Sequence, residues 1–217
     1  MILLPGRRDR ASDFARRGFI TLARKGIPDL DCVAVNATLG YYLDGSVADR
    51  LQHEIIVPAR RLGYREMWIL GVSMGGLGAF FHERTYSGQI RGLFLLAPFV
   101  GDDLKLFAEI DAAGGPGLWA ASQPAPGAEL KKSEFQRELW NFLGRMPLDQ
   151  DRRLEIWLAY GEGDRLLPGI QRLKSLVLPG RIFPLPGGHS WEVWKTGFTR
   201  ILAAKAGSWA PNLRKPA

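Results

Sequence analysis

The chain has 217 residues, 46% hydrophobic and 24% charged, enough for one well-buried core and short for two domains. Its net charge of +7 raises nucleic acid as a partner. The basic residues come only as scattered pairs, however (Arg7-Arg8, Arg16-Arg17, Arg60-Arg61, Lys131-Lys132 and Arg152-Arg153), so a solvated basic surface is expected rather than a nucleic-acid site.

The N-terminal "MILLPGRRDR" carries three apolar residues between Met1 and a Pro-Gly turn, then four charges. That is too short for the apolar region of a signal peptide, and no later stretch approaches a membrane span; a cytoplasmic protein with no membrane partner is the default expectation. "ILLP" (2–5) reads as a first strand, and "SDFARRGFITLARKG" (12–26) as one helix capped by Ser12 and stopped by Gly26. "CVAVN" (32–36) is a second strand. The single cysteine, Cys32, excludes an intramolecular disulfide and a multi-cysteine metal site and should pack as a small hydrophobe. "SVADRLQHEIIVPARRLG" (46–63) reads as a helix starting at Ser46, with Pro58 as a kink or early break. "MWILGV" (67–72) is a third strand, followed by a Gly-rich helix, "GGLGAFFHERTYSG".

"LFLLAP" (93–98), "EIWLAY" (155–160) and "IFPL" (182–185) complete six apolar runs. None alternates cleanly, as expected for strands covered on both faces. Strands alternating with helices predict an α/β domain spanning 1–217, with a mostly parallel sheet of about six strands and helices on both faces. The rhythm fails once, where roughly fifty residues separate the fourth strand from the fifth, too many for a simple connection. Residues 102–150 therefore read as a small helical insertion. It is either a decorated crossover or a cap over an active site.

The stretch "ILGVSMGGLGA" (69–79) contains G-x-S-x-G: Gly71, Ser73 and Gly75. Alone the pattern is weak, but here it sits where a buried strand turns into a helix. A turn that sharp strains the serine and crowds the residues two before and two after it, and glycine relieves the crowding. Gly76, Gly78 and Ala79 would let the helix lie close on the sheet. Ser73 is thus lifted above the sheet edge at a helix N-terminus, whose dipole favours negative charge.

A serine hydroxyl needs a base within hydrogen-bond reach. His82 lies nine residues along the helix, about 13 Å away at 1.5 Å per residue, and His53 falls on a helix face expected to be solvated. His189, in the loop "LPGGHSWEVW" after the last strand, remains. The base in turn needs an acid that holds its tautomer. Asp164 in "YGEGDRLLP", after the fifth strand, is the leading candidate; Glu162 is second, and Asp102 or Asp103, after the fourth strand, third.

Ser73, Asp164 and His189 occur in the order nucleophile, acid, base, each in a loop after a strand. In these residues the sequence resembles the α/β-hydrolase superfamily, with "GVSMGG" similar to its nucleophile elbow, "GEGD" to its acid loop and "GGHSW" to its histidine loop. The resemblance runs from Ile2 to about Leu202 and implies a minimal, esterase-like version starting at the family's third strand. It also implies that the first and third runs lie side by side, so that Pro5-Gly6-Arg7 neighbours Ser73. The Arg7 and Met74 backbone N–H groups would then form an oxyanion hole. The implied activity is hydrolysis of a carboxylic ester through an acyl-enzyme, without metal or cofactor. Thioester hydrolysis, acyl transfer or a non-catalytic binding role on the same fold are the alternatives. Tyr41, Trp119 and Trp191, with Tyr42 and Trp194, could line a pocket for a small acyl substrate or simply pack in the core. Arg7 and Arg8 could draw an acidic substrate or face water. Oligomeric state is left open.

Overall fold

The computed structural model describes residues 1–27, 29–127, 132–146 and 154–206. The six apolar runs form β1 (Ile2–Leu4), β2 (Val33–Ala34), β3 (Trp68–Val72), β4 (Gly92–Leu96), β5 (Glu155–Gly161) and β6 (Ile182–Leu185). They pair in the order β2-β1-β3-β4-β5-β6, and every pairing is parallel. Each residue of β1, β3 and β4 is buried, which is why these strands show no polar alternation. The register sets Leu4 opposite Gly71, so the loop leaving β1 opens beside the turn that leaves β3.

The helices are α1 (Ala11–Arg16), α2 (Phe19–Gly26), α3 (Leu39–Leu43), α4 (Val47–Arg50), α5 (Val57–Arg61), α6 (Met74–Thr85), α7 (Leu104–Ala112), α8 (Pro116–Ser122), α9 (Phe135–Gly144), α10 (Leu167–Lys174) and α11 (Trp191–Lys205). Two differ from the sequence reading. The helix expected over 12–26 is broken into α1 and α2 because Gly18 adopts φ 77°, a left-handed conformation that ends a helix. Its start also lies earlier than Ser12: the Arg10 backbone N–H donates to Asp13 Oδ2 at 2.7 Å, satisfying an amide at the helix start. In the segment after Ser46, Pro58 causes no break. A π-helical stretch, Leu51–Ile56, joins α4 to α5, and its wider turns come just before the residue that has no N–H to give.

Layering follows from β4. A Cβ on Gly76 of α6 would lie 3.7 Å from Leu95 Cδ2, whereas Phe198 of α11 meets Phe94 at 5.9 Å between ring centroids. Adjacent residues of a strand point to opposite faces, so α6 and α11 cover opposite faces of the sheet. Cys32 is half-buried against the core, and His53 is exposed. Among the described residues no helix is long and apolar enough to cross a membrane.

Helices α7, α8 and α9 make up the described part of the insertion. Gln136 of α9 accepts from the backbone amides of Asp102 and Asp103 at 2.8 and 2.9 Å, and the Trp140 indole N–H donates to the Val100 carbonyl at 2.9 Å. Arg84 of α6 pairs with Glu138 of α9 at 2.7 Å, and Arg172 of α10 donates to the Phe107 carbonyl at 3.3 Å. The insertion is thereby bonded to two helices of the main layer. Residues 128–131, where the sequence predicts the start of its last helix, and 147–150 at its end lie outside the described residues, as do Lys131 and the pair Arg152-Arg153.

Candidate active site

Ser73 ends β3 and caps α6 with φ 51° and ψ −114°, a conformation a non-glycine residue holds only when its surroundings enforce it. Here they do. The Ser73 N–H donates to the Leu96 carbonyl, and its own carbonyl accepts from the Gly76 and Phe99 amides, all at 2.9 Å. The flanking glycines are sterically required. A Cβ on Gly71 would come within 2.7 Å of the Gly76 nitrogen, and one on Gly75 within 2.7 Å of the Leu4 carbonyl carbon. Gly76 clears Pro98, in the loop after β4. Gly78 clears the Tyr42 hydroxyl at 2.6 Å, so it admits a side chain of α3, not the sheet expected from the sequence.

His189 Nε2 lies 3.0 Å from Ser73 Oγ, and His189 Nδ1 lies 2.8 and 3.0 Å from the two Asp164 carboxylate oxygens. With Nδ1–H donating to the carboxylate, Nε2 carries the lone pair that accepts from the serine hydroxyl. The Asp164 side chain is fully buried and that of His189 is 13% exposed. Asp164 Oδ1 accepts a second bond, from the Leu166 amide at 2.8 Å, which fixes the carboxylate plane. The two loops are also joined through their backbones: Glu162 N–H donates to the Leu185 carbonyl at 2.8 Å and Gly163 N–H to the Gly187 carbonyl at 2.9 Å. Trp194 of α11 sets its ring edge-to-face on the His189 imidazole at 4.8 Å.

The other sequence candidates lie apart from this chain of bonds. Glu162 is exposed. Asp102 bonds Gln136, and Asp103 caps α7 through the Lys105 and Leu106 amides. His82 is buried against Gln52, its Nε2 3.0 Å from Gln52 Oε1, and burial pushes its pKa down to about 4. Trp119 is 2% exposed in the core beside Arg137, and Tyr41 lies under the Arg50 guanidinium at 4.2 Å; packing accounts for both. Tyr42 keeps its hydroxyl buried beside Gly78, where burial drives its pKa far up.

Trp191 does adjoin the site. It packs against Trp194 at 5.2 Å, and its indole N–H donates to Asp9 Oδ1 at 3.3 Å. Asp9 was not singled out by the sequence reading, although it stands two residues past Arg7 in the loop already assigned beside Ser73. A Cβ built on Gly6 would lie 2.5 Å from Asp9 Oδ2 and 3.5 Å from Ser73 Cβ, so the carboxylate and the serine flank one small space. Arg7 and Arg8 are exposed. The Arg7 amide lies within the Gly6–Asp9 turn closed by Asp9 N–H to the Gly6 carbonyl at 3.1 Å. Met74 is the first residue of α6, where an amide has no partner within its helix. Among the described residues no cluster of His, Cys, Asp and Glu could hold a metal ion.

No protein-family model matches the chain, and no curated protein resembles its sequence. Solved structures do match. A ferulic acid esterase is 18% identical with a TM-score of 0.60, the match covering 96% of this chain and 84% of that one. A monoacylglycerol lipase from Paleococcus ferrophilus is 16% identical with a TM-score of 0.61 over 96% and 94%. An S-formylglutathione hydrolase from Staphylococcus aureus is 17% identical with a TM-score of 0.59 over 94% and 80%. At these identities the likeness is one of fold. The chain has the α/β-hydrolase fold.

Proposed function

We propose that this chain is a serine hydrolase that cleaves carboxylic esters of small molecules through an acyl-enzyme. The supporting observation is the unbroken line of hydrogen bonds from Asp164 through His189 to a strained, 7% exposed Ser73. The enzymatic character of the three structural neighbours, an esterase, a lipase and an S-formylglutathione hydrolase by their names, is consistent with it.

In this reading Ser73 Oγ attacks the ester carbonyl while His189 Nε2 takes its proton. Asp164 holds the Nδ1–H tautomer and stabilises the imidazolium as it forms. The Arg7 and Met74 amides would receive the oxyanion; a preorganised donor of that kind is worth roughly 3–4 kcal/mol. His189 then protonates the departing alkoxide. Water, deprotonated by the same nitrogen, attacks the acyl-enzyme, and the carboxylic acid leaves with Ser73 regenerated. No bond in this sequence requires an electron acceptor or donor.

The test is hydrolysis of a short-chain nitrophenyl ester, paired with fluorophosphonate labelling read by mass spectrometry. Ser73→Ala should abolish labelling and lower kcat by about 10⁴-fold or more. Near-normal turnover by Ser73→Ala, or labelling at another residue, would refute the assignment. A thioester of the same acyl group, run alongside, separates the thioesterase alternative.

A further inference from the structure

Resting on the serine-hydrolase reading, we propose that Asp9 makes the Ser73 site select esters bearing a cationic group, such as an alkylammonium, over esters bearing a carboxylate. The placement is specific. Asp9 Oδ1 is held by the Trp191 indole, which leaves Oδ2 without a hydrogen bond from the described residues. That oxygen lies beside Gly6, across a shared gap from Ser73 Cβ. A group attached to a carbonyl seated on Ser73 therefore meets a half-buried carboxylate at the edge of the site. Trp191 itself is packed against Phe14, Phe19 and Trp194, so it acts here as the fixed donor that holds Oδ1, and the carboxylate is the group that would meet an ammonium.

The charges around Asp9 are of both signs. The groups facing Asp9 are Asp13, His189 and Arg17, with Trp191 as its hydrogen-bond donor. Burial pushes the Asp9 carboxyl up from its ordinary range, and the Trp191 bond opposes that shift. Arg17 lies 5.8 Å from the Trp191 ring centre and pairs with the exposed Glu192 at 3.7 Å. Arg7 and Arg8, which could favour an acidic substrate, extend into water, where salt screens them. Asp9 is a carboxylate near the serine that lies outside the Asp164–His189–Ser73 line of bonds. Its field also opposes an oxyanion forming nearby, and a cation carried by the substrate relieves that opposition. Selection should therefore show in kcat/KM as well as in binding.

Three nitrophenyl esters matched in length test it: a trimethylammonium butanoate, its neutral tert-butyl isostere and a glutarate. The wild-type protein should hydrolyse the cationic ester with a kcat/KM about tenfold or more above that of the glutarate. Asp9→Asn keeps an acceptor for Trp191 and removes the charge; it should cut the cation-to-anion ratio by about tenfold. The ratio is taken on one protein, so general damage to catalysis cancels. Trp191→Phe removes the tether, leaves the carboxylate and should keep cationic preference. An unchanged ratio in Asp9→Asn, or an equal collapse in Trp191→Phe, overturns the proposal. Independently of turnover, the cationic ester should bind Ser73→Ala several-fold more tightly than Ser73→Ala/Asp9→Asn, and equal affinities also overturn it. If the wild type cleaves none of the esters, the hydrolase reading fails while this binding comparison still decides the role of Asp9.

Discussion

Replacing Gly75 by alanine sets two effects of opposite sign against each other. Gly75 lies in the first turn of α6, where helix propensity alone favours alanine by about 1 kcal/mol. The added methyl, however, would sit 2.7 Å from the Leu4 carbonyl carbon and 2.9 Å from Leu4 Cβ, with the Leu4 oxygen nearer still. Comfortable carbon contacts begin at about 3.5 Å, so β1 and the turn at Ser73 must separate by roughly 1 Å. Neither can yield through a side chain alone, because β1 is hydrogen-bonded on both edges, to β2 and β3. Overpacking of this kind costs about 1–3 kcal/mol, and a backbone obstacle belongs at or above the top of that range. The net loss should be about 2 kcal/mol, a fall in Tm of about 4–8 °C for a chain of this size. A displacement of roughly 1 Å at Ser73 should also slow ester hydrolysis by about 10²-fold. Gly117 of α8 is the control: the nearest neighbour of its added Cβ is the Gly144 carbonyl oxygen at 3.7 Å, so Gly117→Ala should gain up to about 1 kcal/mol. Urea titrations and ester hydrolysis on both variants measure the contrast. A Gly75→Ala protein as stable and as active as Gly117→Ala would refute the reasoning.

Two further predictions concern stability against pH. His82 is fully buried, and its pKa drops from 6.5 to about 4, so the unfolded chain binds the proton more readily between those values. Stability should fall as pH drops through 6.5 and go on falling to about 4, by about 3 kcal/mol from this residue; urea midpoints that do not flatten over that window in His82→Gln would contradict it. Burial alone would raise the Glu155 carboxyl, but the Lys205 hydrogen bond at 2.9 Å and the charges of Lys205, Arg91 and Arg181 hold it below its ordinary 4.5. Its contribution is present above about pH 4.5 and lost as pH falls through the lower folded value. Glu155→Gln removes the carboxylate that pairs with the Lys205 ammonium and with Arg91 and should cost about 1.5–3 kcal/mol at neutral pH. An unaltered urea midpoint at pH 7 would contradict that.

The strands β1, β3 and β4 were legible because each is buried on both faces, so the apolar signal is continuous and short; the edge strands β2 and β6 are partly exposed, contrary to the expectation of cover on both faces. Local backbone events were less legible. "FARRGFITLAR" keeps helical periodicity across Gly18, and a left-handed glycine inside it leaves no mark in the pattern. The π-helical stretch before Pro58 depends on which carbonyl each amide selects, which composition does not encode. Among the candidate acids, spacing alone did not separate Asp164 from Glu162. The distinction appears only in a contact between two loops distant in sequence, where a Cβ on Gly161 would collide with the Gly187 carbonyl and Asp164 beyond it is buried. Asp9 leaves no signal in the sequence for a related reason: a carboxylate in the loop after β1 gains meaning only through Trp191 of α11, which reaches it from the far end of the chain.

That last contact bears on how the site is built. One half of the proposed site, Ser73 with the Arg7 and Met74 amides, would be set by β1 and β3; the other half, Asp164 and His189, by β5 and β6. Within each half, backbone groups fix the spacing, through the Gly75–Leu4 approach on one side and the Gly163–Gly187 hydrogen bond on the other. Between the halves, the side-chain links at the site include His189 to Ser73 and Trp191 to Asp9. Both start from the same short segment, 189–191, so the residue that would carry the proton and the residue that orients the Asp9 carboxylate move together. A shift of that segment would break the His189–Ser73 bond and release Asp9 Oδ1 from its donor, while the carboxylate itself stays with the loop after β1. On the proposed reading, proton transfer therefore depends on the 189–191 segment, and charge selectivity on the β1 loop.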